Sequence, residues 1–181
     1  QRLSATFTGK LIKDGGSEGR EEATGLGGLY VLQTILKHLK LRGNLTAAVQ
    51  GFGNVGYNIA KFLDEARLPD GSQGFNVVAV SDSKGGIYVP EGINPQLTLE
   101  CKKKHGYLAG CYCSGSVCDL KKGKSITNAE LLELPVDILV PSALENVLTR
   151  ENASKIKAKV VLEMANGPTA PEADTILYKR G

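Results

Sequence analysis

Two kinds of run alternate along the chain: short uncharged apolar stretches, and longer stretches with apolar residues three or four positions apart. Glu21 to Lys40 is the first long run. It sets Leu26, Leu29, Tyr30, Gln33 and Leu36 at helical spacing, with Lys37 and Lys40 in the last turn and Gly43 as the stop. Leu45 to Gln50 carries no charge and reads as a strand buried on both faces. Gly51 to Gly56 interrupts it, and Tyr57 to Ala66 resumes a helix with Ile59, Phe62 and Leu63 on one side. The composition of Leu68 to Gly74 predicts a turn. Phe75 to Val80 is a second buried strand, Gly86 to Pro90 a short one, and Asn94 to His105 a helix. Gly106 to Gly123 has no periodicity. Thr127-Asn128-Ala129-Glu130 is a capping box that opens a short helix through Leu134. Asp137 to Val140 and Val160 to Glu163 are further strands. Thr149 to Lys157 and Pro171 to Arg180 are further helices, with Gly181 as the last C-cap.

Buried strands alternating with amphipathic helices predict an α/β fold: a doubly wound, mostly parallel sheet with helices on both faces. Residues 1–20 are polar and glycine-bearing and form a lead-in; residues 21–181 form the domain. Ligands of such sheets lie beyond the carboxyl ends of the strands, where strand order reverses. The loops after Gln50, Val80, Val140 and Glu163 are therefore the candidate site.

The first of these loops reads Gly51-Phe52-Gly53-Asn54-Val55-Gly56, a G-x-G-x-x-G between a strand and a helix. In that context Gly51 permits the tight turn, Gly53 admits a pyrophosphate close to the backbone, and Gly56 lets helix and strand pack closely. The helix N-terminus adds free N–H groups and about half a positive charge. The fold expected is thus Rossmann-type and the cofactor NAD or NADP. Asp82 lies just after the second strand, where an acid accepts hydrogen bonds from adenosine ribose hydroxyls. It lies about thirty positions after Gly51 against the usual ~20, the polar turn at Leu68–Gly74 accounting for the excess. The acid favours NAD, whereas Ser83 and Lys84 directly after it suit a ribose 2′-phosphate, so the choice between cofactors stays open. Thr24, early in the first helix, Pro141-Ser142-Ala143, and Ala165-Asn166-Gly167-Pro168 complete the candidates. Small residues at Ser142 and Ala143 leave room for a flat ring or a ribose, and Asn166 offers both a donor and an acceptor. Each of these segments reads equally as a plain helix start or strand-exit turn.

Composition removes other classes. The 181 residues are 41% apolar and 23% charged, ordinary for a globular protein, and the net charge of +3 is too small to argue for nucleic acid or a membrane surface. No apolar run is long enough to span a bilayer. Gln1 to Gly9 has no signal-peptide core, and with no initiator Met the chain is expected to begin mid-protein, in the cytoplasm. His38 and His105 read as solvated. Cys101, Cys111, Cys113 and Cys118 lack the paired spacing of a zinc site, and a cytosolic chain keeps thiols reduced, so they are expected to be incidental loop thiols with no metal.

The motifs together resemble the Glu/Leu/Phe/Val dehydrogenase family, the glutamate dehydrogenases above all. The matching residues are Ala5 to Lys10, Gly15 to Gly27, Gly51 to Gly56, Val80 to Gly86, Asp137 to Ala143 and Ala165 to Pro168. Gly19-Arg20-Glu21-Glu22-Ala23-Thr24-Gly25 is far more specific than the glycine loop. The resemblance implies oxidative deamination of L-glutamate to 2-oxoglutarate and ammonia with NAD or NADP, in an intact enzyme that tends to form hexamers. It implies that Thr24 and Asn54 contact the cofactor and that Asn166 lies near the nicotinamide ribose. The family's catalytic lysine and aspartate belong to a substrate domain that nothing in this chain matches, so no catalytic residue is assigned. Leu108 to Leu120 has no family counterpart. Two alternatives stand beside this reading: a dinucleotide-binding module without catalysis, or the cofactor domain of a leucine, valine or phenylalanine dehydrogenase.

Overall fold

The structure, a computed structural model, describes residues 9–68, 71–118 and 123–180. Its strands are β1 (Leu45–Gln50), β2 (Phe75–Asp82), β3 (Gly85–Tyr88), β4 (Cys113–Ser114), β5 (Val117–Cys118), β6 (Lys124–Ile126), β7 (Ile138–Pro141) and β8 (Val160–Val161). Its α-helices are α1 (Arg20–Leu39), α2 (Asn54–Glu65), α3 (Pro95–His105), α4 (Asn128–Leu132) and α5 (Pro171–Tyr178). Six strands make one sheet in the order β6-β3-β2-β1-β7-β8, while β4 and β5 form a separate hairpin. β2, β1, β7 and β8 run parallel, and β3 pairs antiparallel with both β2 and β6.

Side chains of the central strands alternate between two cores. Ala47, Val49, Ile138 and Val140 join Leu29, Leu32 and Leu36 of α1 and Ile59 and Leu63 of α2 on one face. Ala48 and Leu139 meet Leu131, Leu132 and Ala173 on the other. Ile59 and Leu63 are fully buried, and truncating either to alanine would cost about 2–5 kcal/mol. Strand order reverses between β1 and β7, because β1 leads to β2 on one side and the chain returns to β7 on the other. That is the crevice where a doubly wound sheet takes its ligand.

Several expected elements differ in detail. The buried stripe of α1 runs through Gly25, Gly28, Leu29, Leu32 and Leu36, and Tyr30 is 59% exposed. The two glycines give no hydrophobic signal but allow the close approach, Gly25 against Asn58 and Gly28 against Met164. α1 stops not at Gly43 but at Lys40, which takes the left-handed conformation at φ 56° and closes on the Leu36 and Lys37 carbonyls. α2 starts at Asn54, inside the glycine loop, not at Tyr57. No α-helix spans Thr149 to Lys157; only a 3₁₀ turn, Ala153–Lys155, forms there. At this turn Asn152 Oδ1 accepts from the Thr149 N–H at 2.8 Å and Asn152 Nδ2 donates to the Val147 carbonyl at 2.8 Å. The strand at Val160 shrinks to two residues, and the edge strand β6 was not expected. The proposed cap Gly181, the Ala5–Thr8 segment and part of the Leu68–Gly74 turn lie outside the described residues.

The cysteines correct the largest expectation. They are not incidental thiols: Cys101 is bridged to Cys111 and Cys113 to Cys118. The second bridge staples the β4–β5 hairpin across its Cys113–Cys118 pair. The first ties the last turns of α3 to the segment after it. The irregular composition of 106–123 hid this order, because cross-links rather than periodicity fix it.

Candidate functional site

The turn from β1 into α2 is shaped by contacts that only glycine satisfies. Gly51 has φ 93°, and a Cβ on it would stand 2.6 Å from the Cβ of Ala143 in the loop after β7. A Cβ on Gly56 would strike the Gly51 carbonyl oxygen. Gly53 differs, for it is exposed and a Cβ there meets no protein atom within 4 Å. It is also the N-cap of α2 and supplies no side-chain hydrogen bond, so the first N–H groups of α2 face outward unsatisfied by a cap. An anion fits such a place.

The loop is held from beneath by residues that sequence reasoning passed over. Ser81, fully buried, accepts from the Gly51 N–H at 3.4 Å and donates to Asn128 Oδ1 at 2.7 Å. Asn128 Nδ2 donates to the Asp82 carbonyl at 2.9 Å. The capping box at Thr127 and Glu130 starts the helix that presents Asn128. Thr127 N–H and hydroxyl hold the Glu130 carboxyl below its ordinary range. Gln50, 5% exposed at the end of β1, keeps its Oε1 without a partner among the described residues. Nothing in the spacing of these residues marks them; only the strand register brings Gln50 beside Ser81.

Of the candidates, Gly51, Gly53, Asn54, Val55 and Gly56 form the strand-to-helix turn. Phe52 lies in it too, but it is buried, and its ring packs edge-on against Tyr57 at 5.9 Å. Asn54 Nδ2 donates to the Glu21 carbonyl at 2.8 Å, and Asn58 donates to the same oxygen at 3.2 Å. These bonds bring the start of α1, with exposed Thr24, alongside the start of α2. Ser142 N–H donates to the Gln50 carbonyl at 2.8 Å, and the Met164 and Ala165 N–H groups both donate to the Pro141 carbonyl. The exits of β1, β7 and β8, with Ser142, Ala143 and Asn166, therefore form one surface.

Asp82 sits at the end of β2 as expected, but its carboxylate is engaged. Oδ1 accepts from the Lys84 N–H at 2.9 Å and Oδ2 from the Leu108 N–H at 3.1 Å. The Lys102 ammonium lies 3.6 Å from Oδ2 and donates to the Phe52 carbonyl at 3.0 Å. Beside Asp82, exposed Ser83 and Lys84 line a polar hollow of about 370 Å³ together with Ser125, Thr127 and Glu130. A larger cavity, about 1010 Å³, lies instead at the amino ends of β1 and β2, bordered by Lys37, Arg42 and Arg67. The strand carboxyl ends carry the stronger case, because the unsatisfied helix N–H groups and the strand reversal coincide there.

Residues 15–181 match the profile of the Glutamate/Leucine/Phenylalanine/Valine dehydrogenase family. The chain belongs to that family. It is 47% identical over 178 residues to the NADP-specific glutamate dehydrogenase of Synechocystis sp., covering 98% of this chain and 40% of that protein. It is 49% identical over 175 residues to the glutamate dehydrogenase of Thermotoga maritima, covering 96% and 38%. Among solved structures, a hetero-hexameric glutamate dehydrogenase of Thermus thermophilus in its Leu-bound form superposes with a TM-score of 0.79 at 34% identity, over 98% of this chain and 38% of that one. The chain thus spans about two fifths of the length of these dehydrogenases. Among the described residues, no helix is long and apolar enough to cross a membrane, and no cluster of side chains could hold a metal ion.

Proposed function

We propose that this chain is the dinucleotide-binding domain, residues 21–181, of an amino-acid dehydrogenase that oxidises L-glutamate with NAD or NADP. The observation that carries the reading is Gly53: an open, uncapped helix start at the strand reversal, flanked by two glycines that the fold itself demands. The pyrophosphate lies on the backbone of Gly51 to Gly56, with Gly53 giving it close approach and α2 its partial charge. Asp82 and Ser83 flank the adenosine ribose. Ser142, Ala143, Asn166 and Thr24 border the nicotinamide half, with the Asn54 amide fixing α1 beside it.

A bound nicotinamide would supply the hydride acceptor for the substrate α-carbon. This domain contributes orientation and exclusion of water, and the acid–base residues come from a substrate domain that this chain does not match. The chain alone therefore binds dinucleotide and turns over no glutamate. The glutamate dehydrogenase relatives favour glutamate over leucine, valine or phenylalanine, and the Thermus assembly supports a hexamer for the intact enzyme. A cytoplasmic location follows the same reading.

Hydrogen exchange of the full chain with and without NADPH tests the placement. Segments covering 50–57 and 81–84 are expected to gain protection. Protection confined to the Lys37–Arg42–Arg67 cavity, or none, would overturn the reading.

A further inference from the structure

The β4–β5 hairpin stands apart from the main sheet, with two residues in each strand. A lone two-stranded hairpin is marginal in water, so its order depends on the Cys113–Cys118 bridge and on what it touches. It touches α3. The Cys113 carbonyl accepts from the Asn94 N–H at 2.8 Å, and the Gly115 carbonyl from Asn94 Nδ2 at 2.7 Å. Asn94 is the N-cap of α3, its Oδ1 accepting from the Leu97 N–H at 3.0 Å. The far end of α3 is held by the Cys101–Cys111 bridge. From the last turn of α3, Lys102 donates to the Phe52 carbonyl of the glycine loop at 3.0 Å. One helix, anchored at both ends by disulfide-bearing segments, thus joins the hairpin to the glycine loop. The two bridges differ in access. Cys111 and Cys113 are fully buried and Cys101 is half-buried, whereas Cys118 is exposed.

We infer that the Cys113–Cys118 bridge is a thiol–disulfide exchange site: a dithiol opens it from the Cys118 side, and opening weakens dinucleotide binding at the glycine loop. The inference rests on the dinucleotide reading above. A thiolate of the dithiol attacks Cys118 Sγ, the Cys113–Cys118 bond breaks, and Cys113 leaves as a thiolate. The second thiolate of the reagent then displaces Cys118 and closes the reagent's own disulfide. Two electrons pass to the bridge, and the two protons of the dithiol end on Cys113 and Cys118. The buried Cys113 favours the neutral thiol. The Cys101–Cys111 bridge, with no exposed partner, stays closed and keeps α3 attached at that end. Where thiols are kept reduced, bridges that do form are usually transient, catalytic or redox-sensing, and the exposed one of this pair fits that use. Once the hairpin loosens, Asn94 loses the two carbonyls that hold it, and the start of α3 is no longer fixed. Lys102 then holds the Phe52 carbonyl less firmly, and the glycine loop is less well ordered to receive a phosphate.

The full chain is treated under native conditions with increasing dithiothreitol. Alkylation and mass spectrometry then identify the opened cysteines, and titration with NADPH by nicotinamide fluorescence gives the affinity at each stage. Thermal unfolding checks that each form stays folded. Cys113 and Cys118 are expected to be labelled first, with Cys101 and Cys111 still paired. At that stage NADPH should bind about fivefold more weakly, and reoxidation with oxidised glutathione should restore the affinity. Cys113→Ser with Cys118→Ser should bind as weakly as the opened chain and ignore the dithiol, and the wild-type titration decides alone if that variant does not fold. A hairpin bridge that resists the dithiol in the folded chain, earlier opening of Cys101–Cys111, or an affinity within about twofold of the oxidised chain after opening would overturn the inference while leaving a dinucleotide site in place. No NADPH binding by the folded, oxidised chain would instead overturn the function proposed above, and this inference with it.

Discussion

Gly51 and Ala143 lie so close across the gap between β1 and β7 that a Cβ on Gly51 would stand 2.6 Å from that of Ala143. The contact makes one surface of two loops far apart in sequence. It also separates what the fold requires from what a ligand requires. Gly51→Ala adds a Cβ in a left-handed conformation against a packed neighbour, and is expected to cost about 2–4 kcal/mol, or roughly 10 °C in Tm. Gly53→Ala adds a Cβ in open space and is expected to change stability by less than about 1 kcal/mol. Denaturant unfolding of both variants checks this, and equal losses would contradict it.

Asp137 ties the starts of β1 and β7 together. Its Oδ2 accepts from the Thr46 N–H and hydroxyl, both at 2.9 Å, and its Oδ1 from Lys159 at 2.7 Å. Burial alone would raise this carboxyl, but the Lys159 and Thr46 hydrogen bonds outweigh it and hold it below the usual 3.8. A depressed folded value stabilises the protein above the unfolded value, and the gain is lost as pH falls through the folded one. Asp137→Asn is therefore expected to cost about 1–2 kcal/mol at neutral pH. The gap from wild type should narrow below about pH 3.8. Urea unfolding at several pH values measures it; a gap that does not change with pH would count against the assignment.

The parallel core was legible because β1, Phe75 to Val80 of β2, and β7 are uncharged runs that need burial on both faces, and because the glycine loop sits between a strand and a helix. The short elements were not. β6 has only Ile126 buried, so no alternation marks it. At Thr149 to Lys157 a helix was expected, but only the 3₁₀ turn Ala153–Lys155 forms. Asp82 could be placed at a strand end, but not the partners of its oxygens, which come from α3 and from Leu108 in the cross-linked segment. Ser81 and Asn128 are unremarkable in sequence and meet only through strand register.

Asn128 is the link between Ser81 and Asp82, so Asn128→Ala leaves a buried hydroxyl and a carbonyl with fewer partners. A loss of about 1–3 kcal/mol is expected, larger than the ~1 kcal/mol for Thr127→Ala, which removes only the helix cap. Thermal unfolding of the two variants ranks them, and the reverse order would mean that the cap, not the Asn128 bridge, secures this corner.

Pairing of all four cysteines makes a direct prediction about thiol chemistry. Under denaturing conditions, alkylation of the non-reduced chain is expected to label no cysteine, and alkylation after reduction to label all four. Replacing Cys101 and Cys111 with serine should lower stability by about 2–3 kcal/mol through the loop that the bridge closes. Labelling of four thiols before reduction would contradict the pairing.

The central claim is that Gly51 to Gly56 receives a dinucleotide phosphate. Titration of the wild-type chain and of Gly53→Ala with reduced dinucleotide, followed by nicotinamide fluorescence, tests it most directly. The account predicts saturable binding by the wild type and at least about tenfold weaker binding by the variant, with both chains equally folded. Equal binding by the two, or no binding by the folded wild type, would contradict it.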